Sequence, residues 1–194
     1  MARFRTRAGN LCGAEWVVTH MALSPTRPVP TLSLPLSRGG STDDLALGTG
    51  ADGRFTLIAF FRGLHCPVCR KQLTELDRRL AEMREAGIGR VLAVSMETPE
   101  RSEQLIREWG LADLPVAHGL GERAARDWGL YLSAAIKTGE APLFNEPGLF
   151  VLDSDGTLFW SSVSTMPFGR PPLDDVLAGL AFVQKSDYPA RGAA

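Results

Sequence analysis

Two cysteines with two residues between them are the side chains best suited to chemistry in this sequence. Cys66-Pro67-Val68-Cys69 follows a strongly apolar stretch and precedes a segment in which charged residues fill the gaps between leucines. Thiols at this spacing can close a disulfide and reopen it by thiol–disulfide exchange. The spacing therefore indicates redox chemistry at this point of the chain.

The elements on either side of the two cysteines predict a strand-to-helix junction. Residues 55–61 are nearly all apolar, which is typical of a central strand covered on both faces. Leu73, Leu76, Leu80 and Met83 recur at steps of three and four, which predicts an amphipathic helix. The start of a helix offers unpaired N–H groups and partial positive charge, and both stabilise a thiolate. We therefore expect one cysteine to have a pKa well below the value of about 8.5 for free cysteine.

Several side chains next to the cysteines are expected to support the thiolate. Arg62, His65, Arg70 and Lys71 flank them, and a positive charge close to a sulfur favours its ionised form. His65 can do this only as a cation. Pro67 suits the first turn of a helix, where its missing N–H costs nothing. Arg62, His65 and Pro67 are thus candidate substrate-binding or thiolate-stabilising residues.

Strands alternate with helices over the rest of the chain. Residues 91–95 and 148–152 predict buried strands, and residues 157–160 predict the second arm of a hairpin. Residues 173–183 predict a last amphipathic helix. The predicted fold class is α/β, with a mixed central sheet and helices on both faces.

Length and composition favour one globular domain. The chain has 194 residues, of which 44% are hydrophobic and 22% charged, the balance of a folded protein. We place the domain at residues 25–187, between an amino-terminal tail of residues 1–24 and a carboxy-terminal tail of residues 188–194. The first tail is expected to be disordered or to precede a natural start at Met21, and its Cys12 is expected to be a bystander.

The charge balance argues against polyanionic partners. Lys plus Arg is 21 and Asp plus Glu is 22, so a net charge of −1 gives no electrostatic basis for binding nucleic acid or an anionic membrane. No apolar run is long enough to span a bilayer, and residues 1–20 lack the continuous apolar region of a signal peptide. We therefore expect a cytoplasmic protein with no cofactor and no bound metal.

Three other interpretations of the two cysteines stay open. A zinc half-site needs two more ligands, and only Cys12, His20, His65 and His118 offer soft atoms, none of them in a second paired motif. An inert structural disulfide is unusual in a cytosolic chain. The third interpretation is that two ordinary buried thiols share this spacing by coincidence.

Three stretches of the sequence resemble a known family. Residues 60–73, which read FFRGLHCPVCRKQL, resemble the active-site segment of the thioredoxin superfamily, and more narrowly the peroxiredoxin-like branch of the alkyl hydroperoxide reductase/thiol-specific antioxidant (AhpC/TSA) family. Residues 124–130 and 147–156 are similar to that family's helix end and penultimate strand. The resemblance implies a thioredoxin-like fold and an antioxidant, thiol-dependent oxidoreductase that reduces peroxides, disulfides or both.

The family's mechanism implies a separate role for each sulfur. One attacks a peroxide or disulfide, the other resolves the product into a Cys66–Cys69 disulfide, and a reductant of the thioredoxin or glutathione type restores the dithiol. Better solvent access at the helix start favours Cys66 as the attacker. An ungapped alignment with typical peroxiredoxins instead places Cys69 on their attacking cysteine. The resemblance also allows a homodimer. A disulfide reductase without peroxidase activity and a non-catalytic redox sensor or adaptor remain as alternatives.

The sequence departs from typical peroxiredoxins at three positions. Arg62, Cys66 and Pro147 stand where those proteins carry a proline, a threonine and an arginine that cradle the peroxide, which puts fast peroxidase activity in doubt. Pro147 resembles instead the cis-proline that faces the cysteines in thioredoxins. A cis peptide would turn the backbone of Glu146 toward a partner's extended chain, whereas a trans proline would merely begin a strand. Glu146 and Pro147 are therefore further candidate substrate-binding residues.

Overall fold

The computed structural model describes residues 23–45, 47–48 and 53–194. A mixed five-stranded sheet forms its centre, and a separate two-stranded hairpin lies beside it. The strands are β1 (Phe55–Phe60), β2 (Ile88–Val94), β3 (Val116–Ala117), β4 (Leu132–Ala134), β5 (Leu143–Asn145), β6 (Gly148–Leu152) and β7 (Leu158–Val163). The central sheet has the order β3-β2-β1-β6-β7, and the hairpin joins β4 to β5.

The central sheet combines parallel and antiparallel pairing. β1, β2 and β3 run parallel, whereas β6 is antiparallel to β1 and to β7. The helices are α1 (Pro67–Arg78), α2 (Leu80–Glu85), α3 (Pro99–Trp109), α4 (Glu122–Asp127) and α5 (Leu173–Ser186), and a short 3-10 helix covers Thr42–Leu45. The mixed sheet and the hairpin predicted over residues 148–160 are both confirmed.

β1 is buried along its whole length because helices cover both faces of the sheet. Leu57 and Ala59 point into a core layer shared with α1, α2, α3 and α5. Ile58 and Phe60 point into the opposite layer, which α4 and part of the amino-terminal segment complete. A strand in this position carries apolar residues without alternation, as the sequence showed.

Two local predictions differ from the structure. The helix predicted after the cysteines is interrupted at Arg79, whose φ of −110° and ψ of 19° separate α1 from α2. Residues 29–36, whose apolar and small residues alternate loosely and so predict a short edge strand or hairpin, contribute only isolated bridges. Pro30 and Pro35 lack the N–H groups that a continuous ladder needs.

The topology brings several chain segments to one edge of the sheet. The carboxyl ends of the parallel strands β1 and β2 lie there, and Phe60 at the end of β1 pairs with Gly148 at the start of β6. In open α/β sheets the loops at the carboxyl ends of parallel strands are the usual place for a binding site. The loop from Phe61 to Cys66 belongs to this edge.

The two ends of the chain are where the limits of the predicted domain, residues 25–187, can be compared with the structure. Cys12 and Met21 lie outside the described residues. In the carboxy-terminal segment, Ala190 packs against the core layer that contains α5. No helix in the part of the chain that the structure describes is long and apolar enough to cross a membrane. The domain limits and the cytoplasmic location stay predictions.

The carboxylate of Asp77 on α1 holds the loop that follows α3. Its oxygens accept the backbone N–H groups of Ala112, Asp113 and Leu114 at 2.8, 2.8 and 2.7 Å. Partial burial alone would raise the pKa of Asp77, but these three donors and the nearby Arg38 hold it below its ordinary value. The ionised carboxylate therefore stabilises the fold.

Replacing Asp77 by asparagine is expected to lower the free energy of unfolding by about 1–2 kcal/mol. The asparagine amide has one neutral acceptor oxygen, whereas the Asp77 carboxylate has two charged ones. The pKa of Asp77 is lower in the folded protein than in the unfolded chain, where it is about 3.9. The stabilisation by Asp77 is therefore fully present above about pH 3.9 and is lost as the pH falls through the folded pKa. Urea unfolding of wild type, Asp77→Asn and the exposed control Asp113→Asn at several pH values measures it. A loss no larger in Asp77→Asn than in the control would contradict this account.

Candidate active site around Cys66 and Cys69

Cys66 caps the amino terminus of α1, so the predicted placement at a helix start is confirmed. Its backbone is extended (φ −103°, ψ 104°), and its Sγ accepts the Cys69 N–H at 3.2 Å. Its own N–H donates to the Gly63 carbonyl at 3.1 Å. Pro67 occupies the first turn of the helix, where no N–H is needed.

Both sulfurs are buried in the core layer under α1. Cys66 is 1% exposed and Cys69 0%, and both are free thiols. The expectation that Cys66 has the better solvent access is therefore wrong, because both cysteines turn into the core while Pro67 and Val68 between them face solvent. If Cys66 reacts first, its electrostatic surroundings must be the reason.

The surroundings of the two sulfurs drive their acidities apart. The hydrogen bond from the Cys69 thiol lowers the pKa of Cys66, whereas burial raises it. The Cys69 N–H and the charges of Arg170 and Arg62 lower the pKa further, to about 6. Burial raises the pKa of Cys69 well above its ordinary value, and the bond it donates to Cys66 raises it further. Cys66 is therefore the thiolate at neutral pH, and Cys69 remains a thiol.

Arg170 is a site residue that the sequence did not reveal. Its Nη2 donates to Cys69 Sγ at 3.0 Å, and the guanidinium also donates to the Gln72 side chain and to the Pro167 carbonyl. Although Arg170 contacts Cys69 directly, burial and the adjacent Cys66 sulfur outweigh its charge, so the pKa of Cys69 stays raised. Arg170 is 101 residues from Cys69, in a loop before α5 that carries no recognisable motif.

Arg62 and Glu146 form a largely buried ion pair beside the cysteines. Arg62 Nε lies 3.2 Å from Glu146 Oε2, and the guanidinium stacks over the Phe144 ring at 4.7 Å. Ser133 on β4 donates to Glu146 Oε1 at 2.6 Å, so the hairpin fixes the carboxylate. The charge of Arg62 contributes to the low pKa of Cys66. The sequence predicts that the backbone of Glu146 takes part in the site, but it is the side chain of Glu146 that does so.

Pro147 follows a trans peptide bond, so the cis-proline expectation is wrong. The backbone of Glu146 is already committed within the protein, since its N–H donates to the Tyr131 carbonyl at 2.7 Å and its carbonyl accepts from Asn145 Nδ2 at 3.1 Å. The Pro147 carbonyl accepts the Ser164 N–H at 3.0 Å. This segment therefore offers no free backbone to an incoming chain.

His65 does not act as the cation that the sequence suggested. Its ring packs on Phe144 with centroids 4.7 Å apart, and neither ring nitrogen has a hydrogen-bond partner among the described residues. Burial lowers the pKa of His65, and the charge of Arg62 lowers it further, so the imidazole is neutral at pH 7. Arg70 is also engaged elsewhere, since it donates to the Glu108 carbonyl at the end of α3.

The remaining candidates for other chemistry are not supported. Within residues 23–45, 47–48 and 53–194, no three His, Cys, Asp or Glu side chains gather as metal ligands, so a zinc half-site finds no further ligands there. A cavity of about 660 Å³ lies between β7, α5 and the carboxy-terminal residues, and neither cysteine lines it. Among the described residues, the Cys66–Cys69 pair at this sheet edge remains the candidate site.

Comparison with known proteins identifies the family. Residues 25–161 match the model of the AhpC/TSA family. The chain belongs to the AhpC/TSA family. This confirms the resemblance found at residues 60–73 and makes the protein an enzyme of the thiol peroxidase and oxidoreductase class. A search of curated protein sequences found no match.

Solved structures with the same fold include peroxiredoxins. Peroxiredoxin 6 of Arenicola marina has a TM-score of 0.67 at 14% identity, with 86% of this chain and 76% of that chain covered. Peroxiredoxin Q of Xanthomonas campestris has a TM-score of 0.60 at 23% identity, with coverages of 80% and 96%. Reduced Prx3 of Vibrio vulnificus, solved with hydrogen peroxide, has a TM-score of 0.66 at 13% identity, with coverages of 81% and 99%. They confirm the α/β, thioredoxin-like fold of this AhpC/TSA protein.

Proposed function

We propose that this AhpC/TSA protein reduces peroxides through the Cys66–Cys69 pair, with Cys66 as the attacking sulfur. The observation that carries the proposal is the capped Cys66 sulfur, which accepts the Cys69 N–H at 3.2 Å and has a pKa of about 6. The thiolate is the nucleophilic form of cysteine, and a value below ambient pH keeps most of it ionised.

The proposed cycle has three steps that balance. The Cys66 thiolate attacks one oxygen of R–O–O–H, the O–O bond breaks, and the released oxygen takes a proton from solvent to leave as water or an alcohol. The Cys66 sulfenic acid that results is attacked by the Cys69 sulfur, which loses its proton as water departs and a Cys66–Cys69 disulfide forms. Two equivalents of an external thiol then reduce that disulfide and are themselves oxidised.

Charged side chains give the first step its electrostatic support. Arg62 is held by Glu146 and stacked on Phe144 beside the thiolate, so its guanidinium is oriented before a substrate arrives. Arg170 supplies a second cation on the Cys69 side. Positive charge stabilises the negative charge that builds up on the leaving oxygen, so both arginines favour O–O cleavage.

Burial of both sulfurs favours a small peroxide over a protein disulfide as the oxidising substrate. Cys66 is 1% exposed, and a disulfide held in a folded protein is far bulkier than a peroxide oxygen. A disulfide reductase therefore ranks below a peroxidase, and membership of the AhpC/TSA family favours an enzyme over a non-catalytic redox sensor. The thioredoxin-like or glutathione-type reductant and the homodimer stay predictions.

Peroxide consumption in the presence of dithiothreitol tests the proposed function. The wild-type protein is expected to remove hydrogen peroxide or cumene hydroperoxide faster than the dithiothreitol blank, with one thiol pair oxidised for each peroxide removed. Insulin reduction by the same protein is expected to stay at the blank rate. Insulin reduction without peroxide consumption would show that the protein is a disulfide reductase and not a peroxidase.

A further inference from the structure

A buried carboxylate lies behind the loop that carries Cys66. Glu97 follows β2, is 2% exposed and receives three hydrogen bonds from two directions. Arg101 Nε donates to Oε2 at 2.5 Å and Arg101 Nη2 to Oε1 at 3.1 Å, while the Leu64 N–H donates to Oε1 at 2.8 Å. A buried carboxylate is costly unless it is paired, so this arrangement requires an explanation.

The Gly63–Leu64 turn is fitted to that carboxylate. Gly63 has a φ of +126°, which side-chain-bearing residues rarely adopt, and a Cβ at this position would overlap Glu97 Oε1. The turn thus brings backbone close to the carboxylate, and the absence of a side chain at residue 63 permits it.

The same turn sets the position of the thiolate. The Gly63 carbonyl accepts the Cys66 N–H at 3.1 Å, and a single residue, His65, lies between Leu64 and Cys66. The Cys66 sulfur in turn receives the Cys69 N–H only while Cys66 keeps its extended capping geometry. A continuous series of contacts therefore links Arg101, Glu97, the turn and the sulfur.

We propose that Glu97, held by Arg101, is a positioning residue that fixes the Gly63–Leu64 turn and thereby keeps the Cys66 sulfur at the helix cap. Glu97 does not touch the reacting atoms, and its charge is matched by Arg101, so it restrains the turn without adding an unpaired negative charge. The proposal rests on Cys66 being the thiolate of the proposed function.

The α3 helix supplies a matched control. Glu103 and Arg107 are also a glutamate and an arginine four residues apart, at 3.9 Å, but their side chains are 59% and 69% exposed. Removing Glu103 takes away the same charge from a glutamate six residues further along the chain, without disturbing the Cys66 loop. A general effect of charge or of helix stability would therefore appear in Glu103→Ala as well.

The test measures the iodoacetamide alkylation rate of Cys66 against pH by peptide mass spectrometry, together with the thermal midpoint of each variant. Glu97→Ala is expected to move the midpoint of the alkylation profile upward by about one pH unit, which lowers the rate at acid pH about tenfold. Glu97→Gln, which keeps an oxygen to accept the Leu64 N–H, is expected to fall between Glu97→Ala and wild type. Glu103→Ala is expected to match wild type.

An unchanged alkylation midpoint in Glu97→Ala, whatever its thermal midpoint, would overturn the proposal, and so would an equal shift in Glu103→Ala. If Glu97→Ala does not fold, Arg101→Lys serves instead, because an ammonium lacks the planar fork with which Arg101 donates from two nitrogens to the two carboxylate oxygens, and the side chain is 31% exposed. An unchanged midpoint there would also overturn it. Alkylation needs no peroxide, so this result is independent of whether the protein proves to be a peroxidase.

Discussion

Replacing Cys66 by serine is expected to lower peroxide-dependent turnover by about 1000-fold or more, to the rate of the reductant blank. The hydroxyl of serine stays protonated at neutral pH and cannot become the nucleophile, whereas the Cys66 thiol has a pKa of about 6. The measurement is peroxide consumption under the conditions used for the wild type. Cys12→Ser, which removes the third cysteine of the chain, is the control and should keep full activity.

Cys69→Ser should fail at a different step. Its Cys66 thiolate can still attack one peroxide, but the sulfenic acid then lacks the sulfur that resolves it. We expect one equivalent of peroxide to be consumed, no intramolecular disulfide, and a dimedone adduct on Cys66 by mass spectrometry. If Cys66→Ser instead forms the adduct on Cys69 and Cys69→Ser does not react, the attacking sulfur is Cys69, as the ungapped alignment with typical peroxiredoxins suggested.

The parts of the site that depend on neighbouring residues could be predicted from the sequence. The apolar run at residues 55–61 and the leucine spacing after it placed Cys66 at a helix start, because both patterns arise within one short segment. The fold class followed from strands alternating with helices. These features need no knowledge of distant contacts.

The parts that depend on distant residues could not be predicted. Arg170 contacts Cys69 across 101 residues of sequence, and Glu97 contacts Leu64 across 33. The residues around Arg170 and Glu97 show no sequence pattern that predicts these contacts. Ser133 lies in the hairpin of β4 and β5, whose strands have only three residues each. Strands this short show no clear alternation of apolar and polar residues in the sequence. Solvent access at Cys66 was misjudged for a related reason, since burial depends on how α1 packs against the sheet.

The different acidities of the two thiols give the second large effect. With a pKa of about 6, Cys66 should be about nine-tenths thiolate at neutral pH, whereas Cys69, whose pKa burial and the bond to Cys66 raise, should remain protonated. Because the thiolate is the reactive form, the Cys66 rate rises with pH up to its pKa and is constant above it. At neutral pH the ionised fraction of Cys66 should exceed that of free cysteine about 30-fold.

The most direct test of this account is the rate of iodoacetamide alkylation at each cysteine of the reduced wild-type protein, followed by peptide mass spectrometry over a range of pH. Cys66 is expected to react at half its maximal rate near pH 6, and Cys69 is expected to react little until strongly alkaline pH. A Cys66 midpoint equal to that of N-acetylcysteine, or a Cys69 midpoint below that of Cys66, would contradict it.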